Sequence, residues 1–179
     1  MMPAVVITGM GLVTPLGRDC EQTWSGLMSG RSGIERLELP ELPGVNWIGG
    51  RVPDFSVQAY VKDQKAIKTM TRQTQLAVAA AKMACDQAGV SQATERGRMG
   101  VYLGAGFEDT GLEEIAPAMK ASMDGDGSFS LKKFGKSGYQ QLSPLFGLRK
   151  LPNMALSHVS IAHSVTGPNA LFSPSVAAG

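Results

Sequence analysis

Cysteine and histidine, the residue types most often used for thiolate, imidazole and zinc chemistry, are few in this chain: Cys20, Cys85, His158 and His163. Neither cysteine sits in a C-x-x-C or other metal-ligand spacing, so the pair predicts neither a zinc site nor a disulfide framework. The histidines stand five apart rather than at a helical i, i+4 pairing, and no acidic residue lies near them. They are read as packing or surface polarity. Glycine motifs fail on spacing as well. Gly9-Met10-Gly11 follows an apolar run, as a dinucleotide fingerprint would, but its third glycine position holds Thr14. Gly104-Ala105-Gly106 fails in the same way at Asp109. Asp124-Gly125-Asp126-Gly127-Ser128 opens like a calcium loop, yet position six is Phe129 and position twelve is Gly135. The turn glycine and the bidentate carboxylate are therefore lacking, and a plain loop is the better reading. With no G-x-S-x-G and no P-loop lysine pattern, the expectation is no metal and no cofactor.

Glycine and proline divide the chain into elements that would position these groups. Ala4-Val5-Val6-Ile7-Thr8 predicts a strand buried on both faces. Asp19 can cap a helix running to about Met28, ended by Gly30 and Gly33. Residues 35–60 read as loop around Pro40, Pro43 and Pro53, with a short strand near 48–52. The strongest helix is Thr71 to Ala88, alanine-rich, with Leu76, Ala80, Met83 and Ala84 on one face and Gly89 as its stop. Met99–Leu103 predicts a second strand and Leu112–Ser122 a helix despite Pro117. Residues 124–143 read as loop. Pro152 opens a helix through about His163, Gly167-Pro168 turns, and Ala170–Ser173 is a third strand. Strands alternating with helices predict an α/β fold with a mainly parallel sheet.

Composition narrows the function classes. The chain has 179 residues, of which 43% are hydrophobic and 18% charged, which suits one globular domain or part of a larger one. A net charge of +2 is too small to demand nucleic acid or an anionic membrane. No apolar run is long enough to span a bilayer. The first charge is Arg18, so the apolar start lacks the basic region of an export signal. A cytoplasmic location is expected.

Six segments in order carry a resemblance. They are Val5-Val6-Ile7-Thr8-Gly9-Met10-Gly11-Leu12-Val13-Thr14-Pro15-Leu16-Gly17, Gly30-Arg31-Ser32-Gly33-Ile34, the alanine-rich helix, Arg98-Met99-Gly100-Val101, Ser143-Pro144 with Leu151-Pro152-Asn153-Met154, and Gly167-Pro168-Asn169. Together the chain resembles the N-terminal part of β-ketoacyl-acyl carrier protein synthases (ketosynthases) of the thiolase fold. The resemblance implies an α/β, thiolase-like architecture, a mainly parallel mixed sheet with layered helices, of which residues 1–179 form the N-terminal portion. It also implies a Claisen condensation, in which a cysteine holds the acyl chain as a thioester and two histidines assist decarboxylation and attack. The nucleophile belongs at a strand-to-helix turn, where free N–H groups favour the thiolate and bind the thioester oxyanion.

This chain departs from that pattern. Counting from Gly167-Pro168 without a gap, the cysteine position falls on Val176, which has no nucleophile and no titratable proton. Ser175 is adjacent, but a shift of one residue at such a turn aims its hydroxyl elsewhere. The family's two histidine segments correspond to sequence beyond Gly179, so His158 and His163 are not carried over as catalysts, and Cys20 and Cys85 read as small buried hydrophobes. Among ketosynthase-like proteins, the loss of the cysteine resembles the chain-length factors of type II polyketide systems. That implies an active ketosynthase as partner subunit, an acyl carrier protein, and a share in shaping the acyl tunnel, with Phe107 as the acyl-pocket candidate. The alternatives are a fragment of a condensing synthase, completed by a C-terminal polypeptide, and a non-enzymatic scaffold. The third strand is expected to expose apolar faces and edges without further polypeptide. The folded form is therefore expected with a C-terminal polypeptide or a ketosynthase partner, against the stand-alone scaffold.

Overall fold

Thr71 opens the organising helix. Its side chain accepts a hydrogen bond from the Thr74 N–H, and the helix then runs unbroken through Arg72–Gln87 (α3) to Gly89, whose φ of +66° is the left-handed stop that glycine tolerates. The computed structural model describes residues 4–38, 44, 46–90, 95–106 and 111–172. Along the chain these form α1 (Cys20–Met28), β1 (Glu35–Leu37), β2 (Trp47–Gly49), α2 (Gln64–Ile67), α3, β3 (Val101–Gly104), α4 (Leu112–Ala121), α5 (Leu131–Lys136), α6 (Phe146–Arg149), α7 (Met154–Ala162) and β4 (Asn169–Phe172).

Two sheets of two strands are present among the described residues. β1 and β2 pair antiparallel, and β3 and β4 pair parallel, with Val101 opposite Asn169 and Gly104 opposite Phe172. The α7 helix packs on both β3 and β4 and, on its other side, along α3. Parallel strands need a crossover connection, and the helices between β3 and β4 supply it. The core lies in this layer, where Val57, Met70, Val78 and Val159 are buried together and Val101 packs against them. Glycines permit the close approaches. A Cβ at Gly167 would collide with the Met99 carbonyl oxygen, so glycine is required where β4 is brought alongside β3.

Several expectations are corrected. Residues 4–8 form no strand: Val5 is 99% exposed and Ile7 83%. A strand exists only through a ladder partner, and none of the described residues offers one. The segment is instead seated on α3. A Cβ at Gly9 or Gly11 would strike the carbonyls of Ala84 or Ala80, and the Met10 N–H donates to Gln87 Oε1 at 2.6 Å. The two glycines thus serve helix packing. The stretch 35–60 is not loop with a single strand, because Glu35–Leu37 pairs with Trp47–Gly49. Residues 124–143 contain α5, capped by Ser130 accepting from the Lys133 N–H, and a 3-10 turn over Gly138–Gln141. Pro152 stands before α7 rather than in its first turn, with Asn153 at the N-cap. The remaining predicted helices and strands are present with ends shifted by one or two residues.

Candidate functional site

Val176, at the family's cysteine position, its neighbour Ser175 and the pocket candidate Phe107 lie outside the described residues. What is described is the frame leading to them. β3 and β4 run parallel and end side by side, and the Ala105 N–H extends the ladder by donating to the Phe172 carbonyl at 3.0 Å. The carboxyl ends of adjacent parallel strands are where α/β proteins place their ligands. Ala105, at this end, is buried, while Phe172 and Tyr102 are open on the sheet face away from α7.

His158 and His163 lie on α7 and at its C-cap, beneath the sheet rather than at the strand ends. His158 is buried and meets Thr69 Oγ1 at 3.1 Å. The threonine hydroxyl is already given to the Ala66 carbonyl at 2.8 Å, so the imidazole Nε2 donates to Thr69. Burial pushes the His158 pKa below its usual range, and the Thr69 hydrogen bond opposes part of that fall. His163 is lowered as well, by burial first and then by Lys82. Both rings are therefore neutral near pH 7. Cys20 and Cys85 are free thiols, half-buried rather than fully enclosed. Burial and the neighbouring Asp86 push the Cys85 thiol up, which makes it a poor nucleophile.

One charged cluster escaped the sequence reading. Glu114 on α4 is clamped by Arg149 and, at 3.6 Å, by Lys150, and all three side chains are largely enclosed. The Lys150 ammonium also stands 5.7 Å from the centre of the Phe146 ring. Sequence separation hides this cluster, and the only signal was the Arg149-Lys150 pair. The cluster ties α4 to α6. The calcium-loop reading of residues 124–128 is resolved by its own partners. Lys133 Nζ occupies Asp124 at 2.8 Å, and Asp126 accepts from the Ser128 N–H at 3.0 Å and from its hydroxyl at 2.7 Å. Among the described residues, no group of His, Cys, Asp and Glu is placed to hold a metal ion. Nor, among the described residues, is any helix long and apolar enough to cross a membrane. A cavity of about 750 Å³ opens between α1 and the β1–β2 pair beside Arg18, Arg31 and Arg51. Its cations are matched by Glu21, Glu35 and Asp54, so it favours no ligand charge.

An α7 layer beneath a parallel strand pair, with both strands ending together, is an α/β arrangement, and the comparisons supply its family. The family model for the beta-ketoacyl synthase N-terminal domain matches residues 2–177, and the chain belongs to that family. It is 32% identical over 167 residues to 3-oxoacyl-[acyl-carrier-protein] synthase 2 of Staphylococcus aureus strain COL, covering 92% of this chain and 37% of the relative. To the Vibrio harveyi protein of the same name it is 30% identical, covering 98% and 39%. The chain thus spans less than two-fifths of these relatives. Among solved structures, the ishigamide ketosynthase/chain length factor aligns with a TM-score of 0.71 at 23% identity, over 94% of this chain and 39% of that one. A beta-ketoacyl synthase from Burkholderia phymatum STM815 gives 0.63 at 23%, over 92% and 38%. These two likenesses establish the fold.

Proposed function

We propose that this chain is the N-terminal portion of a ketosynthase-like subunit of the chain-length-factor type, in a type II polyketide or fatty-acid synthase. The observation that carries the reading is Val176 at the position where the family places its nucleophilic cysteine. A valine cannot form a thioester, so the covalent step falls to a partner ketosynthase, and this subunit contributes to the walls of the shared acyl tunnel. The likeness to the ishigamide ketosynthase/chain length factor supports the architecture. An acyl carrier protein delivers the chain, as in the structural neighbour that holds a type II synthase ketosynthase with its carrier protein. That neighbour aligns with a TM-score of 0.66 at 17% identity. The proposed location is the cytoplasm.

The test is incubation with acyl-carrier protein or an electrophilic ketosynthase inhibitor, followed by mass spectrometry. No adduct is expected on residues 173–179, and a stoichiometric one there refutes the reading. Labelling at Cys20 or Cys85 is irrelevant to it. A second reading, a condensing synthase of which this is one part, is favoured by the 3-oxoacyl-[acyl-carrier-protein] synthase relatives. An adduct on residues 173–179 would support that reading instead.

A further inference from the structure

Between β3 and α7 the chain makes a helical excursion, described from Gly111 onward, that is built apart from the rest of the molecule. Its α4 and α5 helices and the Gly138–Gln141 turn pack chiefly on one another. The core around Val57, Met70, Val78 and Val159 takes no side chain from them. The excursion has a small centre of its own instead. Ala118 and Ser122, four residues apart on one face of α4, are buried, and the Ser122 hydroxyl donates to the Ala118 carbonyl at 2.6 Å. The N–H of Ser130, the cap of α5, donates to the Ser122 carbonyl at 2.8 Å. A Cβ at Gly138 would strike the Ser122 hydroxyl, so the turn lies directly on α4. The helices α4, α5 and α6 are only ten, six and four residues long, and Pro117 removes a backbone donor within α4. Helices so short do not persist alone in water, so they form together or not at all.

Charge closes this unit. Glu114 lies where the chain enters α4, and Arg149 and Lys150 lie where it leaves α6 for α7. Their largely enclosed cluster therefore staples the entry of the excursion to its exit. One carboxylate serves two cations there, and Arg149 Nε is already buried without a hydrogen-bond partner. We propose that residues 112–150 are a helical flap that opens and closes as one body, with Glu114 as its latch. Taking away one member of an enclosed charge cluster leaves the others uncompensated, so the latch holds or fails as a whole. Opening leaves the main core intact, because that core contains no flap side chain. The chain enters the flap from the carboxyl end of β3, the edge where α/β proteins place their ligands. Opening therefore changes access to that edge.

Hydrogen–deuterium exchange with mass spectrometry, on the full chain in whatever complex it is purified, tests both halves. In the wild type, peptides from α4, α5 and the 138–141 turn should share one opening rate, about tenfold or more above those of α3 and α7. Glu114→Gln should speed the flap peptides together by about tenfold and leave α3 and α7 within about twofold. Lys82→Ala breaks the exposed Lys82–Asp86 pair on α3 and should leave the flap within about twofold. Glu114→Gln with Arg149→Met and Lys150→Met removes the enclosed charges together and should return exchange to within about threefold of wild type. If Glu114→Gln does not fold, Arg149→Lys keeps the charge and loses the fork, and should speed the flap alone by about threefold. Separate wild-type rates for α4 and α5 overturn the single body, and that result needs no variant. Acceleration shared equally by α3 and α7 in the folded variants overturns the flap. Unchanged flap exchange in Glu114→Gln, or a triple variant as open as the single one, overturns the latch.

Discussion

At the residue scale, the two histidines act through the proton they lack. His158 and His163 have pKa values held below the ordinary imidazole range, chiefly by burial. As pH falls below about 6.5, the unfolded chain takes up protons that the folded chain refuses, so stability declines until the folded-state values are passed. Above 6.5 this contribution is fully present. Melting temperatures between pH 7.5 and 5.5 should therefore fall, and the fall should be shallower in His163→Gln, which removes one of the two groups. An equal slope in both proteins would contradict the assignment. The pocket candidate is tested separately: in the assembled synthase, Phe107→Ala should lengthen the products without abolishing turnover, since removing a ring enlarges a pocket. Product profiling by mass spectrometry reads this, and unchanged lengths in an intact complex would make Phe107 an ordinary packing residue.

At the element scale, what was legible in the sequence depended on whether an element is stabilised locally. The α3 helix carries its own signals in Thr71, the alanine-rich interior and Gly89, and its observed ends match them. The α1 helix behaves alike, with the Asp19 carboxylate accepting from the Gln22 N–H at 2.7 Å. Residues 4–8 carry strand propensity but have no ladder partner among the described residues, and propensity without a ladder does not make a strand. The α5 helix was hidden because its cap, Ser130, sits in a glycine- and serine-rich stretch that reads as loop. The Glu114 cluster was illegible because it joins elements far apart in sequence. Of the candidate site, the ends of β3 and β4 were legible in the sequence, whereas the burial and hydrogen bonding of His158 depend on the tertiary packing. Val176 and Phe107 fall outside the described residues. Two changes test the element logic. Gly89→Ala forces a side chain into a left-handed conformation and should cost about 1–2 kcal/mol. Gly11→Val drives a branched side chain into the Ala80 carbonyl and should cost about 1–3 kcal/mol or prevent folding. Chemical denaturation measures both, and a neutral Gly11→Val would mean the N-terminal segment is not held against α3.

At the scale of the whole molecule, the distribution of apolar surface points to further polypeptide. Val5, Val6 and Ile7 stand in the open, as do Trp24 and Met28 on α1 and Tyr102 and Phe172 on the sheet. On α1, Trp24 and Met28 are four residues apart and share one helix face, which a soluble monomer would cover or make polar. β3 and β4 each have one partner among the described residues, so each offers an unpaired edge as well. Exposed faces of this size mark interaction surfaces or cause aggregation. The relatives, more than twice as long, supply one candidate cover in their remaining length, and a ketosynthase subunit supplies the other. The expectation is that this chain, produced alone, self-associates and binds a hydrophobic dye such as ANS. Co-produced with a polypeptide matching the rest of the relatives, or with a ketosynthase partner, it should elute as a defined complex with dye binding lost. Size-exclusion chromatography with light scattering, on material purified without denaturant, measures this directly. A cooperatively melting monomer near 18.9 kDa with no affinity for the dye would contradict the expectation and favour a stand-alone scaffold.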